Sequence, residues 1–121
     1  MRAKESREMY LEIILKLEKR NGVVRSIDIA NELEYSKPSV SRAVKVLKDS
    51  GYIIHSPYGD IAFTEKGREK ANKIYELHCL VTDFLVKALK LDQSTAEKDA
   101  CRIEHIISSQ AVDAIKKFLE Q

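Results

Sequence analysis

The sequence predicts a mainly α protein in two parts, on three observations. Apolar residues recur three and four apart through six segments, in a chain of 121 residues that has only 4 Gly and 2 Pro. A short apolar-faced stretch is followed, after a three-residue break, by a second helix whose outward face is cationic. Directly after it, two short β-type runs flank Ser56-Pro57-Tyr58-Gly59-Asp60. This order predicts an N-terminal winged helix-turn-helix over residues 1–74, followed by an α-helical part over residues 75–121.

The first helix is expected over residues 5–20, where Met9, Ile13 and Leu17 recur with Tyr10 and Ile14 beside them, and Asn21-Gly22 ends it. Ser26 is the expected N-cap of a short helix running through Leu33, with Ile29, Ala30 and Leu33 on one face. Glu34-Tyr35-Ser36 leads into a helix from Lys37 to about Ser50. Ser36 is a good cap there, and Pro38 is tolerated because first-turn amides have no intrahelical acceptor. Val40, Ala43, Val44 and Leu47 give that helix one apolar stripe, and Gly51 ends it. The hairpin pairs Tyr52–His55 with Ile61–Thr64, and a long helix runs from Glu65 to about Lys90. Ala71, Ile74, His78, Val81 and Leu85 alternate three and four apart along it. Ser94-Thr95-Ala96-Glu97 has the capping-box pattern and is expected to start a helix carrying Cys101 to Ile107. Ser108 or Ser109 caps a last amphipathic helix with Val112, Ile115 and Leu119.

Composition narrows the function classes. No apolar run approaches the roughly 20 residues of a membrane span, and Met1–Tyr10 holds no apolar core of a signal peptide. Two cysteines, Cys79 and Cys101, cannot build a disulfide framework, so reduced thiols in a cytoplasmic protein are expected. The net charge of +2 conceals a gradient, from +4 over residues 1–75 to −2 over residues 76–121. A basic front half suits a polyanionic partner.

That partner is expected to be double-stranded DNA. A major groove admits one helix, and the helix from Lys37 offers it cations and hydroxyls while its apolar stripe faces the scaffold. Ser36, Lys37, Pro38, Ser39, Ser41, Arg42 and Lys45 form the expected reading face, with Tyr58 at the hairpin tip reaching the backbone or minor groove. A charged helix face alone is usually just solvated; the helix before it and the hairpin after it make the case.

A second constellation is Cys-Arg-Ile-Glu-His at 101–105. On a helix Cys101, Glu104 and His105 fall at i, i+3 and i+4 and project from one face. A divalent ion wants at least four donors, so another element must contribute. Met9 and Glu12 share a face of the first helix, and His78 stands where the periodic pattern asks for an aliphatic residue. Each alone has a plainer explanation: a buried thiol, a core histidine, a packed methionine, a solvated carboxylate.

The ordered set Glu8-Met-Tyr-Leu-Glu12, Ser36-Lys-Pro-Ser-Val-Ser41, residues 57–68 (PYGDIAFTEKGR), residues 78–85 (HCLVTDFL) and Ala100-Cys-Arg-Ile-Glu-His105 resembles the diphtheria-toxin-repressor family. That family comprises metal-activated transcriptional repressors and includes the manganese transport regulators. The resemblance covers about the whole chain, and residues 100–105 (ACRIEH) together with residues 8–11 (EMYL) are those of the iron-sensing branch. Longer members carry an SH3-like domain that has no counterpart in these residues. The resemblance implies that residues 75–121 form a metal-binding and dimerisation domain. It implies Met9, Cys101, Glu104 and His105 as the activating site, and His78 as a ligand of an ancillary one. Glu12 matches a carboxylate ligand of the manganese-type members. Thr82 stands where the ancillary site has a carboxylate and Glu97 where it has a histidine, so that site is either lost or rebuilt from Glu12, His78 and Glu97.

The donor set mixes soft sulfur, imidazole and hard carboxylate, which moves preference from Mn²⁺ toward Fe²⁺, Co²⁺, Ni²⁺ or Zn²⁺. Availability in a cytoplasm then favours ferrous iron, with Mn²⁺ and Zn²⁺ as alternatives. The expected protein is therefore a metal-dependent repressor of metal-homeostasis genes that acts as a homodimer on operator DNA, with no small-molecule substrate. A winged-helix regulator answering Mn, Zn or an organic ligand is the alternative. An enzyme with Glu104 as base is disfavoured, because the ligands would saturate the ion and no nucleophile or oxyanion element accompanies them.

Overall fold

The computed structural model describes residues 3–121, with side chains from Ser6 onward. The order of elements is α1 (Ala3–Asn21), β1 (Val24–Arg25), α2 (Ser26–Leu33), α3 (Lys37–Asp49), β2 (Ile53–His55), β3 (Asp60–Phe63), α4 (Glu65–Leu89), α5 (Gln93–Ile103) and α6 (Ser109–Leu119). They form two compact units, one reaching to Asn72 and one spanning Lys73–Gln121. The architecture is the mainly α one expected, a winged helix-turn-helix followed by a helical unit.

In the first unit α1 packs on β1, α2 and α3, and α2 packs on α3. The buried side of α1 is Tyr10, Leu11, Ile14, Leu15 and Leu17. Met9 and Ile13, expected at the centre of its stripe, are only half-buried. Three further helices and strands surround α1, so its buried arc is wider and rotated from the i, i+4 series that begins at Met9. Val40, Val44 and Leu47 of α3 are at most 2% exposed, and Ile29 and Ala30 of α2 lie against the same core. Burying each of the valine, leucine and isoleucine side chains stabilises by about 1.5–3 kcal/mol.

Ser36 caps α3 as expected, its Oγ accepting from the Ser39 amide at 3.3 Å. Ser26 does not cap α2. It is the first helical residue, Arg25 holds the cap position, and Asp28 accepts the Arg25 amide at 3.0 Å. The helix-turn-helix turn passes through Glu34 at φ 57, a left-handed position more often filled by glycine.

The hairpin is present, with Ile53 opposite Phe63 and His55 opposite Ile61. The sequence reading missed β1, which pairs antiparallel with β3, Val24 opposite Ile61, to make the sheet order β1-β3-β2. The Arg25 Nε donates to Asp60 Oδ1 at 3.0 Å and ties this added strand to the base of the wing. Two residues are too few to carry a periodic signal, which is why β1 was invisible.

In the second unit Val81, Leu85, Ala96, Ala100 and Ile115 make the core, with Leu77, Phe84, Ile103 and Leu119 packed around it. The Asp92 carboxylate, not the Ser94 pattern, caps α5 by accepting the Thr95 amide at 3.3 Å. Cys101 is in the last turn of α5, but the helix ends at Ile103 rather than Ile107. Glu104 is its C-cap with right-handed angles, and His105 and Ile106 continue as a turn. Ser108 caps α6 through the Ala111 amide at 3.1 Å.

Candidate metal centre and nucleic-acid interface

The exposed side of α3 carries Lys37, Pro38, Ser41, Arg42 and Lys45, with Ser39 half-buried at its edge. Ser36 and Ser39 share a hydroxyl contact of 2.8 Å, and the Arg42 guanidinium donates to Ser39 Oγ at 3.4 Å. The first turn of the helix therefore has its hydroxyls pre-arranged beside the Arg42 cation at a helix N-terminus, a combination suited to a phosphate oxygen. An open cleft of about 510 Å³ lies beside this turn, lined in part by Ser6, Tyr10, Tyr35 and Arg42. Lys45 is shared with Asp49, 3.6 Å away one turn on. Both groups are well exposed, and such a pair contributes little and yields readily to a stronger anion. Tyr58 stands at the wing tip, 86% exposed, next to Gly59 at φ 92.

The second unit builds a buried polar cluster. Ligand atoms of Cys101, Glu104 and His105 lie within 4.8 Å of one another. Glu104 and His105 are buried and Cys101 is half-buried. His105 Nε2 is 3.4 Å from Glu104 Oε1, and that oxygen is buried with no hydrogen bond to it among the described residues. Donors bound at about 2.0–2.3 Å to one tetrahedral ion stand roughly 3–4 Å apart; the 3.4 Å between His105 and Glu104 falls in that range. The residues fit the group in chemistry as well: a thiol, an imidazole and a carboxylate in a place where an unpaired carboxylate oxygen is costly. The expectation that all three project from one helix is replaced by a different construction. The C-cap angles of Glu104 prolong the helical course for one more residue, and the turn after it sets His105.

His78, half-buried on α4, joins this cluster through Glu104: its Nδ1 is 2.8 Å from Oε2. His78 is among the candidates the sequence offers for this cluster, but a spacing of 26 residues does not announce the contact with Glu104 itself. Thr82 is buried, with its hydroxyl donating to the His78 carbonyl at 2.7 Å. Glu97 is exposed on α5 and accepts from Gln93 at 3.3 Å. Met9 and Glu12 lie on α1 of the first unit, Met9 half-buried and Glu12 buried. Among the described residues no disulfide joins Cys79 and Cys101, and no helix is long and apolar enough to cross a membrane.

A winged reading head followed by a helical unit with a cation-type cluster defines the class of metal-responsive DNA-binding regulators. Comparison with known proteins agrees. Residues 3–61 match the iron dependent repressor N-terminal DNA binding domain, and residues 64–121 match the iron dependent repressor metal binding and dimerisation domain. An uncharacterised HTH-type transcriptional regulator of Methanocaldococcus jannaschii is 36% identical over 97% of this chain and 94% of its own length. The HTH-type transcriptional regulator MntR of Shouchella clausii is 36% identical over 95% of this chain and 80% of its own. Among solved structures, that of the manganese regulator SloR matches with TM-score 0.80 and 30% identity, over 94% of this chain. The chain spans about half the length of that structure, 53%. The protein belongs to the diphtheria-toxin-repressor and manganese-regulator family of metal-dependent transcriptional repressors.

Proposed function

We propose that this protein is a repressor that binds operator DNA as a homodimer when loaded with ferrous iron. The observation that carries the proposal is the buried cluster of Cys101, Glu104 and His105, whose thiol sets it apart from an all-carboxylate site. Manganese favours hard oxygen donors, whereas a thiolate and an imidazole favour metals later in the first-row series. Manganese is the second reading, because the structurally similar SloR is described as a manganese regulator.

Met9 and Glu12 are the donors we assign from α1 to complete the shell. Residues 1–74 then act as the DNA-binding domain and 75–121 as the metal-binding and dimerisation domain. One ion held by donors from both would favour a single arrangement of the reading heads, a population shift worth about 1–3 kcal/mol or 5–150-fold in affinity. Two heads spaced by about 34–36 Å would meet successive turns of one face of the duplex. Exposed apolar side chains on the second unit, Leu89, Ile106 and Phe118, support a partner copy there.

The test is an anaerobic titration with Fe²⁺, Mn²⁺ and Zn²⁺, read by gel shift on duplexes selected from a random library by the loaded protein. Fe²⁺ should retard the duplex at lower free concentration than Mn²⁺. Cys101→Ala should abolish the metal dependence while leaving the helical circular dichroism intact. Retained metal dependence in that variant would remove Cys101 from the ligand set.

A further inference from the structure

We infer that His78 serves the metal centre through Glu104, as the group that aims the carboxylate, and that each chain holds one ion here rather than two. The inference rests on the metal-centre reading and deepens it. His78 Nδ1 lies 2.8 Å from Oε2 of a Glu104 side chain that has no exposed surface. That distance is a hydrogen bond between a ring nitrogen and one carboxylate oxygen. It uses one oxygen of Glu104 and leaves the other, Oε1, facing His105 Nε2 at 3.4 Å without a hydrogen bond. One oxygen is thus fixed by the imidazole and its twin is left for a cation.

Two of the side chains at positions that would build a second site around His78, Thr82 and Glu97, are turned to other tasks. Thr82 gives its hydroxyl to the His78 backbone carbonyl at 2.7 Å, closing a local helical contact instead of facing an ion. Glu97 is exposed and accepts from Gln93, one turn before it on the same helix. The Tyr75 ring lies alongside the imidazole, centroids 6.4 Å apart and planes 26° from parallel. Outer partners of this kind fix the orientation and basicity of a ligand, and losing one typically weakens metal binding about 10–100-fold. His78 is therefore a positioning residue, and Glu104 is the atom-bearing ligand it acts through.

Three versions of the full chain distinguish this from direct ligation: the wild type, His78→Asn and His78→Leu. The amide nitrogen of Asn falls near the Nδ1 position and can donate to the same oxygen, but it cannot reach where Nε2 would bind an ion. Co²⁺ is the probe, because its visible bands report coordination and its near-ultraviolet band reports the sulfur bond. Expected are one Co²⁺ per chain in all three, with unchanged band positions. His78→Asn should bind within about 3-fold of wild type and His78→Leu about 10–100-fold more weakly. Two Co²⁺ per wild-type chain, or equal losses in both variants, would overturn the assignment. Thermal unfolding without metal checks that both variants fold. Failure of the centre itself looks different: no Co²⁺ bound and no sulfur band in the wild type would remove this inference and the metal reading together.

Discussion

In the proposed centre, Cys101 is the side chain on which the choice of metal would turn. Its thiol adds a soft donor to a cluster that otherwise offers an imidazole and a carboxylate. Replacing it with a carboxylate, as in Cys101→Glu, should move the half-activation concentration toward Mn²⁺ and away from Fe²⁺, as read by the gel-shift titration. In the first unit Arg42 is exposed on α3 and hydrogen-bonds to Ser39. Arg42→Ala should weaken operator binding while leaving Co²⁺ uptake unchanged. Should its operator affinity equal that of the wild type, Arg42 is no part of the reading face. Gly67 is a position of another kind, decided by space. It lies in the first turn of α4 directly over the Tyr52 carbonyl, and a β-carbon there would overlap that oxygen. Thr64 organises the same corner, donating to the Gly51 carbonyl at 2.6 Å and accepting the Gly67 amide at 3.1 Å. Gly67→Ala should therefore cost about 1–3 kcal/mol of stability, visible as a lowered Tm, although its helix propensity is improved.

The elements show what kind of information a sequence carries about itself. Long periodic stretches were legible: α3 and α4 lie within a residue of their expected ends, because a 3.6-residue period repeated over several turns leaves little ambiguity. The Ser36 cap was legible too, being a local contact between residues three apart. What escaped depends on partners distant in the chain. β1 exists because β3 accepts it, and the His78–Glu104 contact exists because packing brings α4 and the end of α5 together. The start of α5 escaped for a different reason, since Asp92 and Ser94 are both competent caps only two residues apart. Its true cap has a consequence that can be measured. Hydrogen bonding from Thr95, chiefly its side chain, holds the Asp92 carboxyl below its ordinary 3.8. A depressed native value means the ionised cap stabilises α5 above pH 3.8, and that contribution fades as pH falls through the lower native value. Asp92→Asn, which keeps a capping oxygen without the charge, should flatten the acid dependence of unfolding in that window. An acid limb of unchanged slope would show that the charge on Asp92 has no part in it.

For the whole molecule the question is what the metal changes. Leu89, Ile106 and Phe118 leave 58%, 68% and 44% of their surface exposed in a unit whose core is small, and these are the side chains a second copy would cover. If dimerisation comes from that apolar surface, it should not need the ion. Sedimentation is then expected to give a dimer at micromolar concentration both with Fe²⁺ and after chelation, whereas a clean monomer in both conditions would overturn the paired-head proposal. Operator affinity, by contrast, should fall by about 5–150-fold on chelation, the range of ordinary coupling energies. Linkage makes the effect reciprocal: saturating operator duplex must raise the affinity of the chain for its metal by that same factor. Measuring Co²⁺ affinity with and without duplex closes the cycle. Equal factors in the two directions would identify the ion as the effector of a two-state reading head. A metal affinity indifferent to duplex would mean that the cluster at Cys101–His105 holds the fold together and does not govern what α3 reads.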